Sequence, residues 1–386
     1  METYKILVVD DEPDLEPLIL QRMRRNIRSG RYRFVFARNG IEALQRLGEQ
    51  EDIDMVLSDI NMPQMDGLTL LEQIPKVDPN IRSVIISAYG DMKNIRTAMN
   101  RGAFDFVTKP LDFKDLRHTI ERTLKHLIEW RSALASRDQL VMLQNELDVA
   151  SKIQQSILPT RFPTTNNYDV FGAMEPARNV GGDFYDIFML ESGHIGLAIA
   201  DVSDKGVPAS LFMMSSRTLL KGTAIGIPEP GHVLGDVNDL LYEDNDAAMF
   251  VTVIYAAYSP DSGRITYANG GHNPPLIVHT DGTSTLLKPI GGLALGVAPG
   301  MMFPQDTIQL APNETLVLYT DGVTEAMDAD DEEFGVERLQ AIFAGAPPSG
   351  AREATEAIFH AVHAFAGDTP QSDDITCLSV FRRPGS

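Results

Sequence analysis

Two groups of carboxylates stand at positions where they could do chemistry. The first is Asp10, Asp11 and Asp59, accompanied by the hydroxyl of Ser87 and the ammonium of Lys109. Three carboxylates brought together without a cation repel one another, and a hard divalent ion with oxygen ligands, such as Mg²⁺, relieves the repulsion. A lysine and a hydroxyl beside such an ion suit a phosphoryl group: one cancels charge, the other donates a hydrogen bond. The second group is Asp183, Asp201, Asp321 and Asp373. Oxygen donors without a Cys or His series favour Mg²⁺ or Mn²⁺ over zinc. Two ions bridged by a carboxylate could hold a phosphoryl oxygen and lower the pKa of a water, allowing in-line hydrolysis without a protein nucleophile. Taken singly, each acid reads better as a helix cap, an Asp-Gly turn or a solvated loop residue.

The elements that must position these side chains follow from the hydrophobic pattern. Residues 5–9, 54–58, 83–87 and 104–108 are short apolar runs that reach Asp10, Asp59, Ser87 and Lys109. Helical stretches at 13–26, 40–47 and 93–101 separate them, which predicts a doubly wound α/β domain with its site at the carboxyl ends of the strands. Residues 111–158 contain neither glycine nor proline and predict a long helix ended by Pro159. Its apolar stripe runs through Leu116, Ile120, Leu127, Trp130 and Leu134, then resumes at Leu140, Leu143, Leu147 and Ala150. The phase slips by about one residue around 136–138, as at a coiled-coil discontinuity or a hinge. The 116–127 portion suits packing on its own domain; beyond Trp130 the stripe points to a partner helix in a homodimeric coiled coil.

Past Pro163 strand-like runs dominate, at 194–200, 250–258, 265–268, 275–279, 314–319 and 375–380. Helices are expected at 209–221, 231–244, 336–343 and 351–365. Turn sequences Asp261-Ser262-Gly263 and Asp281-Gly282 mark hairpins, so this half is expected to be a mainly antiparallel α+β sandwich. Asp201 and Asp321 follow strands, Asp373 precedes one, and Asp183 lies in Val180-Gly181-Gly182-Asp183-Phe184-Tyr185-Asp186.

Composition narrows the partners. The formal charge of −21 is unevenly held: residues 1–130 carry 19 basic and 21 acidic residues, net −2, and the remainder 14 and 33, net −19. So acidic a chain offers few cations to a nucleic-acid backbone or an anionic membrane, and neither is expected as a partner. With 43% hydrophobic residues it is not a disordered polyanion. The single Cys377 excludes an intrachain disulfide and fits a reducing compartment, where a strand position makes it a small buried hydrophobe. The apolar run 249–258 is too short for a bilayer span, so a cytoplasmic location is expected.

The first half resembles the receiver domain of two-component response regulators, the CheY-like fold with a parallel five-stranded sheet. The resemblance rests on Val8-Val9-Asp10-Asp11-Glu12, Ser58-Asp59-Ile60-Asn61-Met62-Pro63-Gln64-Met65-Asp66-Gly67, Ser87-Ala88 and Thr108-Lys109-Pro110. It implies that Asp59 accepts phosphate from a histidine kinase or phosphotransfer protein. Asp11, Asp59 and the Asn61 carbonyl, with Asp10 nearby, would hold Mg²⁺. Ser87 would be the switch hydroxyl, Phe106 the switch aromatic and Lys109 the phosphate contact, with a cis bond before Pro110.

The second half resembles the metal-dependent PPM (type 2C) serine/threonine phosphatases of the sporulation and stress-response branch. The matching text is Asn179 to Asp186, Ala200-Asp201-Val202-Ser203-Asp204-Lys205-Gly206, Tyr267 to Pro275, Tyr319-Thr320-Asp321-Gly322-Val323-Thr324-Glu325-Ala326 and Ser372-Asp373-Asp374-Ile375-Thr376. Residues 147–159, with Gln154, resemble the helix that precedes such phosphatases. By this resemblance Asp201 bridges two Mn²⁺ or Mg²⁺ ions with help from the Val202 carbonyl, Asp183 completes one site, and Asp321 and Asp373 the other. Asp186 and Asp374 are candidate neighbours, Arg178 is a candidate phosphate arginine, and His272 is a candidate proton donor that reads better as a structural turn residue.

The expected organisation is a receiver at 1–125, a helical linker and dimer coiled coil at 126–160, and a PPM phosphatase at 161–386. The expected function is a response regulator whose phosphorylation at Asp59 controls dephosphorylation of an anti-sigma-factor antagonist. The alternative is a non-catalytic adaptor of the RssB type, which binds the stationary-phase sigma factor for regulated proteolysis. Adaptor function would not require the four metal carboxylates.

Overall fold

The computed structural model describes residues 3–50, 52–88, 91–191, 193–227, 229–243 and 245–384, and the chain divides into two units, Met1–Met142 and Leu143–Ser386. In the first unit, strands β1 (Tyr4–Val9), β2 (Tyr32–Ala37), β3 (Met55–Asp59), β4 (Arg82–Ala88) and β5 (Asp105–Lys109) form a parallel sheet in the order β2-β1-β3-β4-β5. Helices α1 (Leu15–Arg22), α2 (Arg24–Arg28), α3 (Gly40–Glu49), α4 (Gly67–Val77), α5 (Met92–Asn100) and the start of α6 (Phe113–Ile157) alternate with them. Period-2 alternation buries both faces: Ile6 and Val8 of β1 join the core beneath α1 and α6, Leu7 and Val9 the core beneath α3 and α4. The expected helix at 13–26 is two helices, because the chain turns at Met23, whose side chain is fully buried.

Leu116, Ile120, Leu124 and Leu127 of α6 are buried in the first unit's own core. Beyond them Arg131 pairs with buried Asp54 at 2.7 Å, and Arg82 stacks over the Trp130 ring at 5.5 Å. The helix runs unbroken through 136–138, so the phase slip moves the stripe without interrupting the backbone. From Trp130 onward the stripe is exposed at Leu134, Leu140 and Leu143.

The second unit contains strands β6 (Tyr168–Glu175), β7 (Phe184–Met189), β8 (Ile195–Val202), β9 (Val251–Ser259), β10 (Arg264–Gly270), β11 (Leu276–Val278), β12 (Ser284–Leu286), β13 (Gln305–Gln309), β14 (Thr315–Tyr319) and β15 (Ile375–Arg382). They form two antiparallel sheets, ordered β13-β10-β9-β8-β7 and β12-β11-β14-β15-β6. Helices α7 (Val207–Ala224) and α8 (Pro230–Glu243) cover the first sheet; the short α9 (Asp321–Thr324), α10 (Gly335–Ala341) and α11 (Ala351–Ala366) lie on the side of the second. Asp244, expected to close α8, lies outside the described residues. Leu316, Leu318, Leu378 and Val380 point between the sheets, while Val317, Tyr319, Ile375 and Cys377 point under α10 and α11. That alternation is the sandwich predicted from the hairpin signals. No helix among the described residues is long and apolar enough to cross a membrane.

Candidate functional site

In the first unit, register alone brings the reactive residues to one sheet edge. Asp10 follows β1 and Asp59 ends β3, while Ser87 is paired with Thr108 and Ala88 with Lys109. Asp10, Asp11 and Asp59 bring carboxylate oxygens within 4.8 Å of one another, an all-oxygen set that fits Mg²⁺. The Lys109 ammonium reaches Asp59 at 2.6 Å, Glu12 at 2.7 Å and Asp10 at 3.0 Å. Burial alone would lower the lysine's pKa; the bonds to Asp59, Glu12 and Asp10 outweigh it and raise it. Asp10 is raised, chiefly by burial. Ser87 Oγ is buried without a hydrogen-bond partner among the described residues, a free donor beside this edge. Phe106 is 37% exposed, and the Lys109–Pro110 bond is cis. Asn61 N–H donates to Asp59 Oδ1 at 3.3 Å. Gly67 lets the following loop close over Asp59, for a Cβ there would stand 2.1 Å from the Asp59 carbonyl oxygen. The helix-cap reading suits Asp66 instead, which caps α4 by accepting from Thr69 N–H.

In the second unit the four acids come from both sheets. Asp201 lies in β8 and Asp183 just before β7, while Asp321 follows β14 and Asp373 precedes β15. Asp183 is fully buried; its Oδ2 accepts from Thr320 Oγ1 at 2.7 Å and Thr376 Oγ1 at 2.6 Å, both from the opposite sheet. Burial, then the charges of Asp201 and Asp374, hold its carboxyl well above the usual range, against the two hydroxyls. Asp201 is raised by burial first and then by Asp321, with its contact to Asp183 opposing. Asp321 is raised by burial and by Asp373. Such a set cannot be fully ionised unless a cation joins it.

The donors fit Mg²⁺ or Mn²⁺ by chemistry and by space. All are oxygens, and Gly182 leaves a cradle beside the Val202 carbonyl, where a Cβ would come within 3.0 Å of that oxygen. The acids are spread more widely than the first unit's trio. Asp373 is held by the Lys205 ammonium at 2.8 Å.

Two candidate neighbours have other partners. Asp186 pairs with Arg217 at 2.9 Å and Lys221 at 3.6 Å, bracing α7 on β7 rather than joining the acid set. Asp186→Ala strands a nearly buried guanidinium, and urea denaturation is expected to show a loss of about 3 kcal/mol. Asp374 accepts the backbone N–H groups of Ala177 at 2.8 Å and Gly182 at 2.7 Å, so it shapes the loop that carries Asp183. That loop has a second brace: Gln154 of α6 donates to the Gly181 carbonyl at 2.6 Å and accepts from its N–H at 3.0 Å. Thr320, Thr376 and Lys205 all lay inside the quoted motifs without an assigned role.

His272 is structural. Its Nδ1 meets Thr252 Oγ1 at 2.8 Å, and its Nε2 donates to the Tyr319 carbonyl at 3.1 Å, since a carbonyl only accepts. Burial pushes its pKa down to about 4, against the Tyr319 bond, which raises it. The unfolded chain binds this proton near pH 6.5, so the stability it confers is complete above that pH. It is lost as pH falls toward 4, by on the order of 3 kcal/mol. Urea denaturation at pH 7.5 and 4.5 should show a smaller acid loss in His272→Gln than in wild type.

Comparison with known proteins agrees with both halves. The Stage II sporulation protein E (SpoIIE) family model matches residues 191–383, half of the chain, and the response regulator receiver domain model matches residues 6–121. The chain is 33% identical over 265 residues to Protein IcfG of Synechocystis, covering 61% of this chain and 41% of IcfG. It is 30% identical over 220 residues to the phosphoserine phosphatase RsbU of Bacillus subtilis, covering 55% of this chain and 64% of RsbU. It thus spans less than two thirds of either relative. The SiaA-PP2C domain of Pseudomonas aeruginosa superposes with a TM-score of 0.55 at 25% identity, covering 64% of this chain and 99% of that domain. The chain belongs to the Stage II sporulation protein E (SpoIIE) family, with a response regulator receiver domain ahead of a PP2C-type phosphatase fold.

Proposed function

We propose that the chain is a cytoplasmic two-component response regulator whose output is a metal-dependent protein serine/threonine phosphatase. The observation that carries this reading is the meeting of Asp183 and Asp201 from one sheet with Asp321 and Asp373 from the other. Asp201 would bridge two Mn²⁺ or Mg²⁺ ions, with Asp183 and the Val202 carbonyl on one side and Asp321 and Asp373 on the other. Bound there, the ions supply an acidified water and charge neutralisation at the phosphoryl group. The chain's part is to hold the oxygens in place: Thr320 and Thr376 fix Asp183, and Asp374 and Gln154 fix its loop.

Domains are assigned as receiver 1–125, linker 126–160 and phosphatase 161–386. The receiver takes phosphate at Asp59 from a histidine kinase or phosphotransfer protein, with Mg²⁺ held by Asp10, Asp11, Asp59 and the Asn61 carbonyl. The exposed stripe beyond Trp130 supports pairing with a second copy. RsbU is named a phosphoserine phosphatase, and by analogy the substrate is the phosphorylated antagonist of an anti-sigma factor. The test is release of phosphate from a phosphoserine protein by the full chain with Mn²⁺ and with EDTA. Turnover only with the metal supports the reading; no turnover under either condition contradicts it.

A further inference from the structure

Beyond residue 130 the chain holds 14 cationic residues against 33 acids, and two of these cations, Lys205 and Arg178, lie in the loops next to Asp201 and Asp183. Lys205 lies in the loop after Asp201. Its ammonium contacts Asp373 Oδ2 at 2.8 Å and the Ser372 carbonyl at 2.7 Å, while the side chain stays 41% exposed. It therefore spans from the loop of one ligand to the loop of another. Arg178, in the loop before Asp183, is exposed, and its Nη1 lies 4.0 Å from where a Cβ on Gly206 would stand. No ion pair or hydrogen bond of Arg178 occurs among the described residues.

Two divalent ions would balance the four carboxylates and leave little excess positive charge for a phosphate dianion, which fixed cations at the rim would supply. An ammonium has three donors; two are used here, and a partly exposed pair with Asp373 is weak enough to be exchanged for a stronger anion. A guanidinium without a partner can close on the same phosphate through two parallel N–H groups. We propose that Lys205, seconded by Arg178, is the phosphate-recognition residue of this site, so that the phosphoryl group is read by a lysine on the Asp201 loop. The inference rests on the phosphatase reading and deepens it: the ligand class is a phosphate monoester dianion.

The test uses the full chain loaded with Mn²⁺ and inorganic phosphate as the probe, titrated calorimetrically and as an inhibitor of p-nitrophenyl phosphate hydrolysis. Lys205→Met should weaken phosphate binding about tenfold, the loss of one charge-assisted hydrogen bond, with KM rising more than kcat falls. Lys205→Arg should restore most of the affinity, Mn²⁺ affinity should be unchanged, and Arg178→Gln should weaken phosphate binding by a smaller factor. Phosphate affinity within twofold of wild type in both Lys205→Met and Arg178→Gln would overturn the proposal. So would weakened Mn²⁺ binding with phosphate affinity intact, which would make Lys205 only a strut for Asp373. Absence of wild-type turnover would instead strike the phosphatase reading, so the two failures are distinguishable. Because Arg178 is exposed and unpaired, its variant remains informative even if Lys205→Met fails to fold.

Discussion

Asp201→Asn is expected to lose Mn²⁺-dependent phosphatase activity by more than about 100-fold, since even a supporting partner of a ligand is worth 10–100-fold. The same variant is expected to unfold at a higher temperature than wild type in EDTA. Both effects come from one arrangement. Asp201 is half-buried, and burial first, then the charges of Asp321, Asp373 and Asp374, disfavour its ionised form in the metal-free fold against the opposing bond to Asp183. Asparagine keeps the shape and removes the charge, which relieves that repulsion, but an amide cannot serve as an anionic bridge. Thermal unfolding of both proteins in EDTA and in excess Mn²⁺ checks the account. Wild type should gain much from the metal and the variant little. A variant that gains as much as wild type would mean that Asp201 does not hold the ions.

The second large effect is at the receiver. Asp59→Ala should take up no phosphoryl group from acetyl phosphate, as read by intact-protein mass. Asp59 Oδ2 lies 2.6 Å from the Lys109 ammonium, and in the proposed reading a carboxylate oxygen of Asp59 would attack phosphorus while acetate leaves. Lys109→Met should keep the nucleophile and still slow uptake by about 100-fold, the loss expected when one fixed charge facing the transferred group is removed. The lysine also neutralises Asp10 and Glu12. Its loss should therefore leave Mg²⁺ binding intact or strengthened while phosphorylation falls. Uptake by Asp59→Ala at the wild-type rate would move the acceptor elsewhere.

The receiver's site was legible because parallel strands carry their carboxyl ends to one edge. A run of apolar residues followed by Asp10, Asp59, Ser87 or Lys109 already states which residues meet. The antiparallel sandwich hides more. Asp183 receives its hydroxyls from Thr320 and Thr376, 137 and 193 positions away in the opposite sheet, and no local pattern announces that contact. Lys205 stood four residues after Asp201 in its motif, but its reach to Asp373 depends on two loops meeting. Asp186, the last residue of the motif that carries Asp183, is turned toward Arg217 by strand alternation, so proximity along the chain misplaced it. In the linker, periodicity gave the helix and its apolar stripe. The slip at 136–138 leaves the backbone helical because shifting a side-chain stripe breaks no main-chain hydrogen bond.

The central claim is that phosphorylation of the receiver sets the rate of the phosphatase. The most direct measurement is the Mn²⁺-dependent hydrolysis rate of the full chain on a phosphoserine protein, with and without beryllofluoride as a mimic of aspartyl phosphate. Wild type should change its rate on adding the mimic, and Asp59→Ala should not. An unchanged wild-type rate at full occupancy of Asp59 would contradict the account.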